Sequence, residues 1–439
     1  MPKKSTAKKD AYATLRGMKD ILPSDQRYWD FITQRVYQLA RDYGFQRIET
    51  PILEPASLFL RTIGNETDIV SKEMYVFQDP GNDKVSLRPE GTAGVARAYI
   101  EHGMLNQPQP VKLFYISPMF RHDRPQAGRQ RQFWQFGFET IGDNSPVMDA
   151  QLINISYRFY AELNMSVQVE INSVGCTTCR PGYLKELTSY YKGVKKELCE
   201  NCQLRLVKNP LRLLDCKEKR CQELAAEAPQ IIDHLCAECK NHFVAVLEYL
   251  DEMEVKYNLN ATIVRGLDYY TRTAWEILES GKEGQQDSLG GGGRYDGLIQ
   301  QISGRATPAV GFACGIERAV NRFRSNDIAV PQLPAAQVFV AQLGQEARKK
   351  ALRLYEGLIS KGYHPAEAFS KSSLKDQLEI ANRLGVQYAL IIGQKEMVDS
   401  TVLIRDMESG NQEVVDFAKI LDYVSKLLSV EVKNGRVEE

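Results

Sequence analysis

The sequence predicts a β-rich core domain, a small helical cysteine-rich insertion and a C-terminal α/β domain. Two β-prone runs flank a turn-rich loop between residues 111 and 141. Eight of the nine cysteines lie between Cys176 and Cys239, in a charged and helical region. After a proline-bearing linker, strands alternate with helices. The predicted domains are a disordered tail over 1–12, a core over 13–173 and 251–328, the insertion over 174–250 and the last domain over 329–439.

Composition limits the class of protein. The chain has 439 residues, of which 43% are hydrophobic and 26% charged, as in ordinary soluble proteins. It lacks an apolar run of about 18 residues, so we expect no membrane span. The stretch "MPKKSTAKKD" is basic without a following apolar segment, so we expect a cytoplasmic protein without a secretory signal. Zero net charge weakly disfavours coating of nucleic acid by bulk charge, and it leaves local basic patches open.

The first elements follow from apolar spacing. Apolar residues recur at intervals of three and four from Ile21 to Tyr43, which predicts a helix that Gly44 ends. The next stretch, "FQRIETPILEP", reads as a strand broken by Pro51 and Pro55.

A long hairpin is predicted from residues 111–121 and 131–141. In the second strand, side chains alternate between an apolar face and a polar face. The polar face carries Gln135 and Glu139, and Gly137 between them leaves space. This arrangement suits a pocket for an ammonium or imidazole group, or else a sheet face exposed to solvent.

Four arginines surround the loop of this hairpin, namely Arg121, Arg124, Arg129 and Arg131. A guanidinium group pairs in two-pronged fashion with phosphate oxygens, so the loop suggests a nucleotide or RNA ligand. The alternative is a surface loop with solvated arginines.

Three shorter stretches offer further candidates. "LRPEGTAG" places Glu90 and Thr92 before a helix, as ligand-binding or capping residues. "GGGGRYDGL" is predicted to be a loop at a pocket edge, since its glycines permit close approach of a ligand. "GFACGIERAV" predicts a strand followed by a helix, with Arg318 in the first turn, which suits an anion-binding site or else a helix whose Arg318 faces water.

The stretch "TIVRGLDYYTRTAWEI" concentrates polar chemistry between β-prone flanks. Strands are expected over 261–264 and 273–278. Between them Arg265, Asp268, Tyr269 and Tyr270 place a cation, a carboxylate and two phenols at the mouth of a strand. Such a set suggests a small-molecule site.

The cysteines form three pairs with Cys-x-x-Cys spacing. Two such pairs can supply four thiolates to one tetrahedral Zn²⁺, so a structural zinc site is predicted, with free thiols as the alternative. Cys216 and Cys221 lie between the pairs, and eight cysteines could hold two ions. The predicted ligands are Cys176, Cys179, Cys199, Cys202, Cys236 and Cys239.

Taken in order, these segments resemble bacterial-type histidyl-tRNA synthetases, a family of class II aminoacyl-tRNA synthetases. "RGLDYYTRTAWEI" looks like the histidine-binding signature, and "GGGGRYDGL" looks like the second histidine segment. "RIETPILEP", "FRHDRPQAGRQRQFWQFGFE" and "GFACGIERAV" look like class II motifs 1, 2 and 3. The resemblance covers nearly the whole chain. It implies an α+β class II catalytic core with a mixed, mostly antiparallel sheet, and a C-terminal α/β anticodon-binding domain.

The resemblance implies a reaction in which L-histidine and ATP give histidyl-adenylate and pyrophosphate, after which histidine passes to the 3′ end of histidine tRNA. Mg²⁺ would accompany the pyrophosphate oxygens. Arg121 and Arg265 would act on the α-phosphate and Arg318 on the γ-phosphate, while Asp268 would hold its loop. The implied histidine-binding residues are Glu90, Gly91, Thr92, Gln135, Glu139, Tyr269, Tyr270 and Tyr295.

Further expectations concern partners. The motif 2 loop would contact the tRNA acceptor end through Asp123, Arg124, Gln126 and Arg129, and motif 1 implies a homodimer. One alternative is the synthetase-like regulatory subunit of ATP phosphoribosyltransferase in histidine biosynthesis, which usually lacks the anticodon-type domain. Another is an RNA-binding or stress-sensing module on the same fold, in which the ATP contacts would have eroded.

Overall fold

The computed structural model describes residues 12–64, 67–123, 129–280, 288–331 and 335–434. The chain forms two compact units, one ending at Val330 and the other beginning at Pro331. The predicted tail lies outside the described residues except for Tyr12. Among the described helices, none combines the length and apolar character that crossing a lipid bilayer requires.

The helices of the described residues are distributed over both units. The α-helices are α1 (Pro23–Asp42), α2 (Ala56–Ile63), α3 (Thr92–Glu101), α4 (Pro146–Ala161), α5 (Arg180–Gly193), α6 (Glu200–Lys208), α7 (Lys219–Ala226), α8 (Ala237–Glu252), α9 (Leu298–Ser303), α10 (Ile316–Ser325), α11 (Gln345–Ser360), α12 (Leu374–Leu384), α13 (Gln394–Asp399) and α14 (Ile420–Asn434). Short 3₁₀ turns occur at Met104–Asn106, Lys195–Glu197, Pro210–Leu213 and Ile231–His234, and a π-helical turn at Ile69–Glu73.

The strands form three sheets. They are β1 (Gln46–Arg47), β2 (Leu53–Pro55), β3 (Tyr75–Gln78), β4 (Lys84–Leu87), β5 (Val111–Phe120), β6 (Gln132–Ile141), β7 (Val167–Ser173), β8 (Tyr257–Leu259), β9 (Thr271–Glu279), β10 (Ser288–Arg294), β11 (Ala309–Gly315), β12 (Val338–Gln342), β13 (Pro365–Glu367), β14 (Tyr388–Ile392), β15 (Thr401–Asp406) and β16 (Gln412–Asp416).

The large sheet of the first unit has eight strands in the order β1-β5-β6-β11-β10-β9-β7-β8. Only its edge pairs, β1 with β5 and β7 with β8, are parallel. The predicted mixed, mostly antiparallel sheet is therefore confirmed. Strands β2, β4 and β3 form a small antiparallel sheet of their own.

The predicted first helix and hairpin are both present. Helix α1 buries Ile32, Val36 and Leu39, which share one face at helical spacing. Strands β5 and β6 pair in antiparallel register over their full length. Phe136 and Phe138 on the apolar face of β6 belong to the main core, as the alternation predicted.

Two predictions of local structure were wrong. "GGGGR" is not a loop but strand β10, which lies between β9 and β11 near the middle of the sheet. A Cβ on Gly292 would lie 2.1 Å from the Gly311 carbonyl oxygen, so these strands approach closely because β10 lacks side chains there. Residues 261–264 form no strand, because the Asn260 side chain accepts the Thr262 N–H and turns the chain after β8.

Helices α5 to α8 form the insertion between β7 and β8. Their apolar side chains make a small separate core, which includes Tyr183, Leu187 and Tyr191 of α5. Four of the cysteines belong to this core, so the insertion packs around its thiols: Cys199 at its margin, with Cys202, Cys216 and Cys221 buried.

The second unit has a five-stranded sheet in the order β13-β12-β14-β15-β16, with the first three strands parallel. Val338 and Val340 of β12 face the core that contains α11 and α14, whereas Phe339 and Ala341 face the core that contains α12. Side chains thus alternate between two helical layers, as a buried strand requires. The predicted strand–helix alternation is confirmed, and the antiparallel pair β15–β16 extends it.

Candidate active site

A cleft of about 780 Å³ in the first unit brings together the three arginines that the sequence suggested for a nucleotide. Arg121 follows β5, Arg265 precedes β9, and Arg318 lies in the first turn of α10. We call this the arginine cleft. Gln135 of β6 also lines it. The predicted hairpin, the glycine-rich strand β10 and helix α10 therefore all contribute residues to this cleft.

Arg265 is held by residues on both sides. Its guanidinium pairs with the Glu276 carboxylate and lies 5.9 Å from the centre of the Tyr270 ring. Burial opposes its charge, yet Glu276, Tyr270 and Tyr269 together outweigh burial, and the pKa of Arg265 is raised. A Cβ on Gly291 would lie 2.8 Å from the Arg265 Nη1 atom, so glycine is needed here for this arginine to fit.

The other two arginines, Arg121 and Arg318, are cations whose charged form is disfavoured by burial. Arg121 donates from Nε to the Pro89 carbonyl at 2.8 Å, and its guanidinium lies 5.4 Å from the Phe133 ring centre. Burial lowers the pKa of Arg121 and of Arg318, and the nearby Arg129 guanidinium adds to the lowering in both. Crowded buried cations are stabilised by an anion, so the cleft favours a phosphate-bearing ligand.

A second group of residues lies beside the cleft, and we call it the tyrosine–carboxylate cluster. Its members are buried and connected by hydroxyl groups that donate to carboxylates. Tyr295 donates to one oxygen of Glu139 at 2.6 Å, and Thr92 donates to the other at 2.7 Å. Tyr269 donates to Glu90 at 3.3 Å. The cluster consists of Glu90, Thr92, Glu139, Tyr269, Tyr270 and Tyr295.

The cluster is electrostatically arranged for a cation or a proton donor. Burial raises the pKa of Glu139 to about 8, with a further raising contribution from Glu90. Burial also raises the pKa of Glu90. Glu90 in addition accepts the backbone N–H groups of Thr92 and Ala93, so it caps helix α3, the alternative role considered for it.

Tyr270 connects the cluster to the cleft. Its ring centre lies 4.8 Å from that of Tyr269 and faces the Arg265 guanidinium. A Cβ on Gly293 would lie 2.6 Å from the Tyr270 ring, so Gly291 and Gly293 on one face of β10 make room for both side chains. A cleft that contains the three arginines therefore adjoins a pocket with two buried carboxylates and three phenols.

Comparison with known proteins agrees with the family that the sequence resembles. The family model described as "Histidyl-tRNA synthetase" matches residues 17–178 and 192–319, which is more than half of the chain. The chain belongs to the histidyl-tRNA synthetase family. An "Anticodon binding domain" model matches residues 337–427, which lie in the second unit.

Individual relatives agree with this family. A histidine–tRNA ligase of Dehalococcoides mccartyi is 45% identical over 416 residues, which cover 94% of this chain and 99% of the relative. One of Pelotomaculum thermopropionicum is 44% identical over 94% of this chain and 97% of the relative. The crystal structure of apo Staphylococcus aureus histidyl-tRNA synthetase aligns with a TM-score of 0.77, 33% identity, and coverage of 94% and 99%. These matches do not favour the regulatory-subunit alternative.

Several predictions for the site need correction. The space over Gly137 is filled by the Tyr115 ring, since a Cβ there would lie 2.4 Å from its Cζ atom, and Gly91 abuts the same ring. Arg294 is not at a pocket edge: it is fully buried and pairs with Asp149. The glycines thus accommodate side chains of this protein, which a sequence without contacts could not show.

The described part of the motif 2 loop lies at the cleft. Asp123 and Arg129 line it and pair with each other at 2.9 Å. Arg124 and Gln126, the other two expected acceptor-end contacts, lie outside the described residues. Asp268 accepts from the Asn209 amide at 2.9 Å and its N–H bonds to Ile63, which suits its expected loop-holding role.

Sequence reasoning missed two residues of the site. Glu276 pairs with Arg265, and its signal was a single charge inside the apolar run "AWEI". Tyr115 lies between Gly91 and Gly137, and its buried hydroxyl makes no hydrogen bond within the described residues. No pattern distinguished Tyr115 from a core residue of β5.

The cysteines form two groups of four: the first combines two of the predicted pairs, and the second combines the third pair with two further cysteines. Within each group the sulfur atoms lie within 4.8 Å of one another, as ligands of one ion would. The predicted ligand set omitted Cys216 and Cys221, because their spacing is not Cys-x-x-Cys. The first cysteine group comprises Cys176, Cys179, Cys236 and Cys239, and the second comprises Cys199, Cys202, Cys216 and Cys221.

Proposed function

We propose that the arginine cleft of this histidine–tRNA ligase binds ATP and that its tyrosine–carboxylate cluster binds L-histidine. The observation that carries the proposal is the junction at Tyr270, whose ring lies 5.9 Å from the Arg265 guanidinium and whose hydroxyl is under the electrostatic influence of the buried Glu139 and Glu90 carboxylates. One substrate must bring phosphates to the cations, and the other must bring hydrogen-bond donors to the carboxylates. Family membership identifies these substrates as ATP and histidine.

In the first step a carboxylate oxygen of histidine attacks the α-phosphorus of ATP, forming the acyl-phosphate bond while the bond to pyrophosphate breaks. Arg265 and Arg121 act on opposite sides of the α-phosphate, and Arg318 holds the γ-phosphate. The protein supplies positioning and positive charge where negative charge develops. Glu73 and Glu276, which line the cleft, would hold Mg²⁺, because carboxylates are ligands that Mg²⁺ prefers, and the ion would supply positive charge to the pyrophosphate oxygens.

Histidine is selected by groups at both of its ends. Glu90, Thr92 and Gln135 receive the ammonium group, while Glu139 and Tyr270 bond the imidazole nitrogens. Tyr269 and Tyr295 complete the wall. Glu139 is buried and its pKa is raised, so an imidazole N–H that bonds to it adds to the hydrogen bonds from Tyr295 and Thr92 and favours the ionised carboxylate.

In the second step the histidyl group passes to a terminal adenosine hydroxyl of histidine tRNA, and AMP leaves. The acceptor end, with its extra 5′ guanosine, meets the motif 2 loop through Asp123, Arg124, Gln126 and Arg129. The second unit binds the anticodon. The protein works in the cytoplasm as a homodimer that pairs through the motif 1 segment.

Replacement of Arg265 by alanine tests the proposal. We expect histidine-dependent ATP–pyrophosphate exchange to fall by several orders of magnitude, because one of the two cations at the α-phosphate is lost. Arg265→Lys keeps the charge but not the two-pronged geometry, so it should retain an intermediate rate. A wild-type exchange rate in Arg265→Ala, with an unchanged unfolding temperature, would refute this role.

A further inference from the structure

The two cysteine groups are a conspicuous chemical feature that the adenylation reaction does not use. All eight cysteines are free thiols within the insertion or at its ends. Measured sulfur–sulfur distances in the first group are 3.7, 3.8 and 3.9 Å, and Cys199 lies 3.8 Å from Cys216 in the second. These distances are far too long for a disulfide bond, in which the sulfurs are about 2.05 Å apart.

The spacing corresponds to one tetrahedral ion in each group. A Zn–S bond of about 2.3 Å places the four sulfurs of a tetrahedron about 3.8 Å apart. A multi-iron cluster is larger than a single ion and would hold its ligands further apart. Four thiolates in tetrahedral order select zinc among common metals.

The surroundings of the sulfurs favour thiolates. Backbone N–H groups of Cys176 and Thr178 donate to sulfurs of the first group at 3.2 and 3.3 Å, and that of Cys199 donates to Cys221 at 3.4 Å. Cys179, Cys199 and Cys236 each directly precede a helix, namely α5, α6 and α8. The positive ends of helix dipoles stabilise such thiolates.

We propose that each cysteine group binds one Zn²⁺ ion and that the two ions fix different walls of the active site. The first group joins the beginning of the insertion to its last helix, since Cys176 and Cys236 are 60 residues apart in sequence. The second group closes a smaller loop from Cys199 to Cys221 inside the insertion.

The first ion adjoins the histidine segment. Arg180 follows the ligand Cys179, and its guanidinium donates to the carbonyl oxygens of Val174 at 2.9 Å and of Tyr270 at 2.5 Å. The N–H of Arg272 donates to the carbonyl of Gly175, the residue before Cys176, at 2.8 Å. Release of this ion would therefore loosen the backbone that positions Tyr270.

The second ion adjoins the arginine cleft. Cys199 and Cys216 themselves line the cleft, and Lys217 beside them does so too. Arg205 and Arg212 lie between ligands Cys202 and Cys216, and both pair with Asp68 of the catalytic core, at 3.2 and 3.7 Å. Release of this ion would free the insertion side of the nucleotide cleft.

Metal analysis of the full-length protein, purified with a reductant and without chelators, is the first test. We expect about two zinc ions per chain, and about one in each of Cys176→Ser/Cys179→Ser and Cys199→Ser/Cys202→Ser. Cys314→Ser is the matched control, because Cys314 is buried outside both groups and should leave zinc content unchanged. Absence of zinc, or iron in its place, would overturn the proposal.

A measurement on the unmutated chain covers the case in which a variant fails to fold. Protein that is produced with Co²⁺ should show the absorption of tetrahedral cobalt thiolate, and a mercurial thiol reagent should release about two metal ions per chain. Spectra of octahedral Co²⁺ or release of no metal would count against thiolate sites.

Kinetics test whether the two ions support different substrate sites. This test rests on the proposed histidine and ATP sites, whereas the measurement of zinc content does not. Loss of the first group should raise the histidine KM roughly tenfold to a hundredfold with a smaller change for ATP, and loss of the second should do the reverse. If the zinc content is as expected but both KM values change equally, the two zinc sites are supported and their separate roles are refuted.

Discussion

Replacement of Glu139 by glutamine should stabilise the folded protein while weakening histidine binding. Glu139 is fully buried, and both of its carboxylate oxygens accept hydroxyl hydrogen bonds from Tyr295 and Thr92. Glutamine has nearly the same shape but cannot ionise. Measuring both effects therefore distinguishes the contribution of Glu139 to folding stability from its contribution to histidine binding.

The stability effect depends on pH with a definite sign. Burial raises the pKa of Glu139 from an ordinary value of 4.5 to about 8, so the folded state binds this proton more tightly than the unfolded chain. The stability from this proton is fully present below about pH 4.5 and is lost as pH rises to about 8. A shift of this size corresponds to at most about 5 kcal/mol. Glu139→Gln should therefore unfold at increasingly higher temperature than wild type between pH 5 and pH 8.

The binding effect has the opposite direction. Above about pH 8, where Glu139 is ionised, loss of its hydrogen bond to histidine weakens binding by about 1.5–3 kcal/mol, which raises the histidine KM roughly tenfold to a hundredfold. With a pKa of about 8 for Glu139, only about a tenth of wild-type molecules carry the carboxylate at pH 7. The wild-type histidine KM should therefore fall by about fivefold from pH 7 to pH 8, and that of the variant should not.

The assays are histidine-dependent pyrophosphate exchange at varied histidine and ATP, and thermal unfolding across the pH range. Glu317→Gln is the control, because burial raises the pKa of Glu317 to about 7 but its carboxylate accepts the Trp134 N–H away from the cluster. That control should also gain stability at high pH with a histidine KM near wild type. Equal increases of both KM values in Glu139→Gln, or lower stability at pH 8, would refute the reasoning.

Two further substitutions test the site and its support. Tyr115→Phe removes a buried hydroxyl that makes no hydrogen bond within the described residues, so we expect little change in unfolding temperature. We expect the histidine KM to rise severalfold, because bound histidine would supply the partner of this hydroxyl. An unchanged KM would exclude that contact. Arg294→Met leaves the fully buried Asp149 carboxylate without its guanidinium partner and should lower the free energy of unfolding by about 3–5 kcal/mol. The double variant that also carries Asp149→Leu should regain much of this free energy. An unchanged free energy of unfolding in the single variant would contradict this account.

The architecture was largely predictable because it depends on periodic patterns. The apolar spacing of α1 and the alternation along β6 are local properties, and both elements appear where the patterns indicated. Strand β10 escaped prediction because four successive glycines have low strand propensity. Its place in the sheet depends on long-range contact with Gly311 and Tyr270, which no local pattern contains.

The candidate site was predictable only in its residue types. Arg121, Arg265 and Arg318 stand out as cations in distinctive stretches, and the structure places all three around one cleft. Tyr115 and Glu276 escaped notice because their importance arises from neighbours distant in sequence. The grouping of Cys216 and Cys221 with Cys199 and Cys202 likewise required the fold of the insertion.

The most direct test of the central claim is ATP–pyrophosphate exchange by the wild-type protein with each of the twenty amino acids in turn. The account predicts exchange with L-histidine and rates at least about a hundredfold lower with every other amino acid, because only histidine offers an imidazole N–H to the buried Glu139. Comparable exchange with another amino acid, or none with histidine, would contradict it.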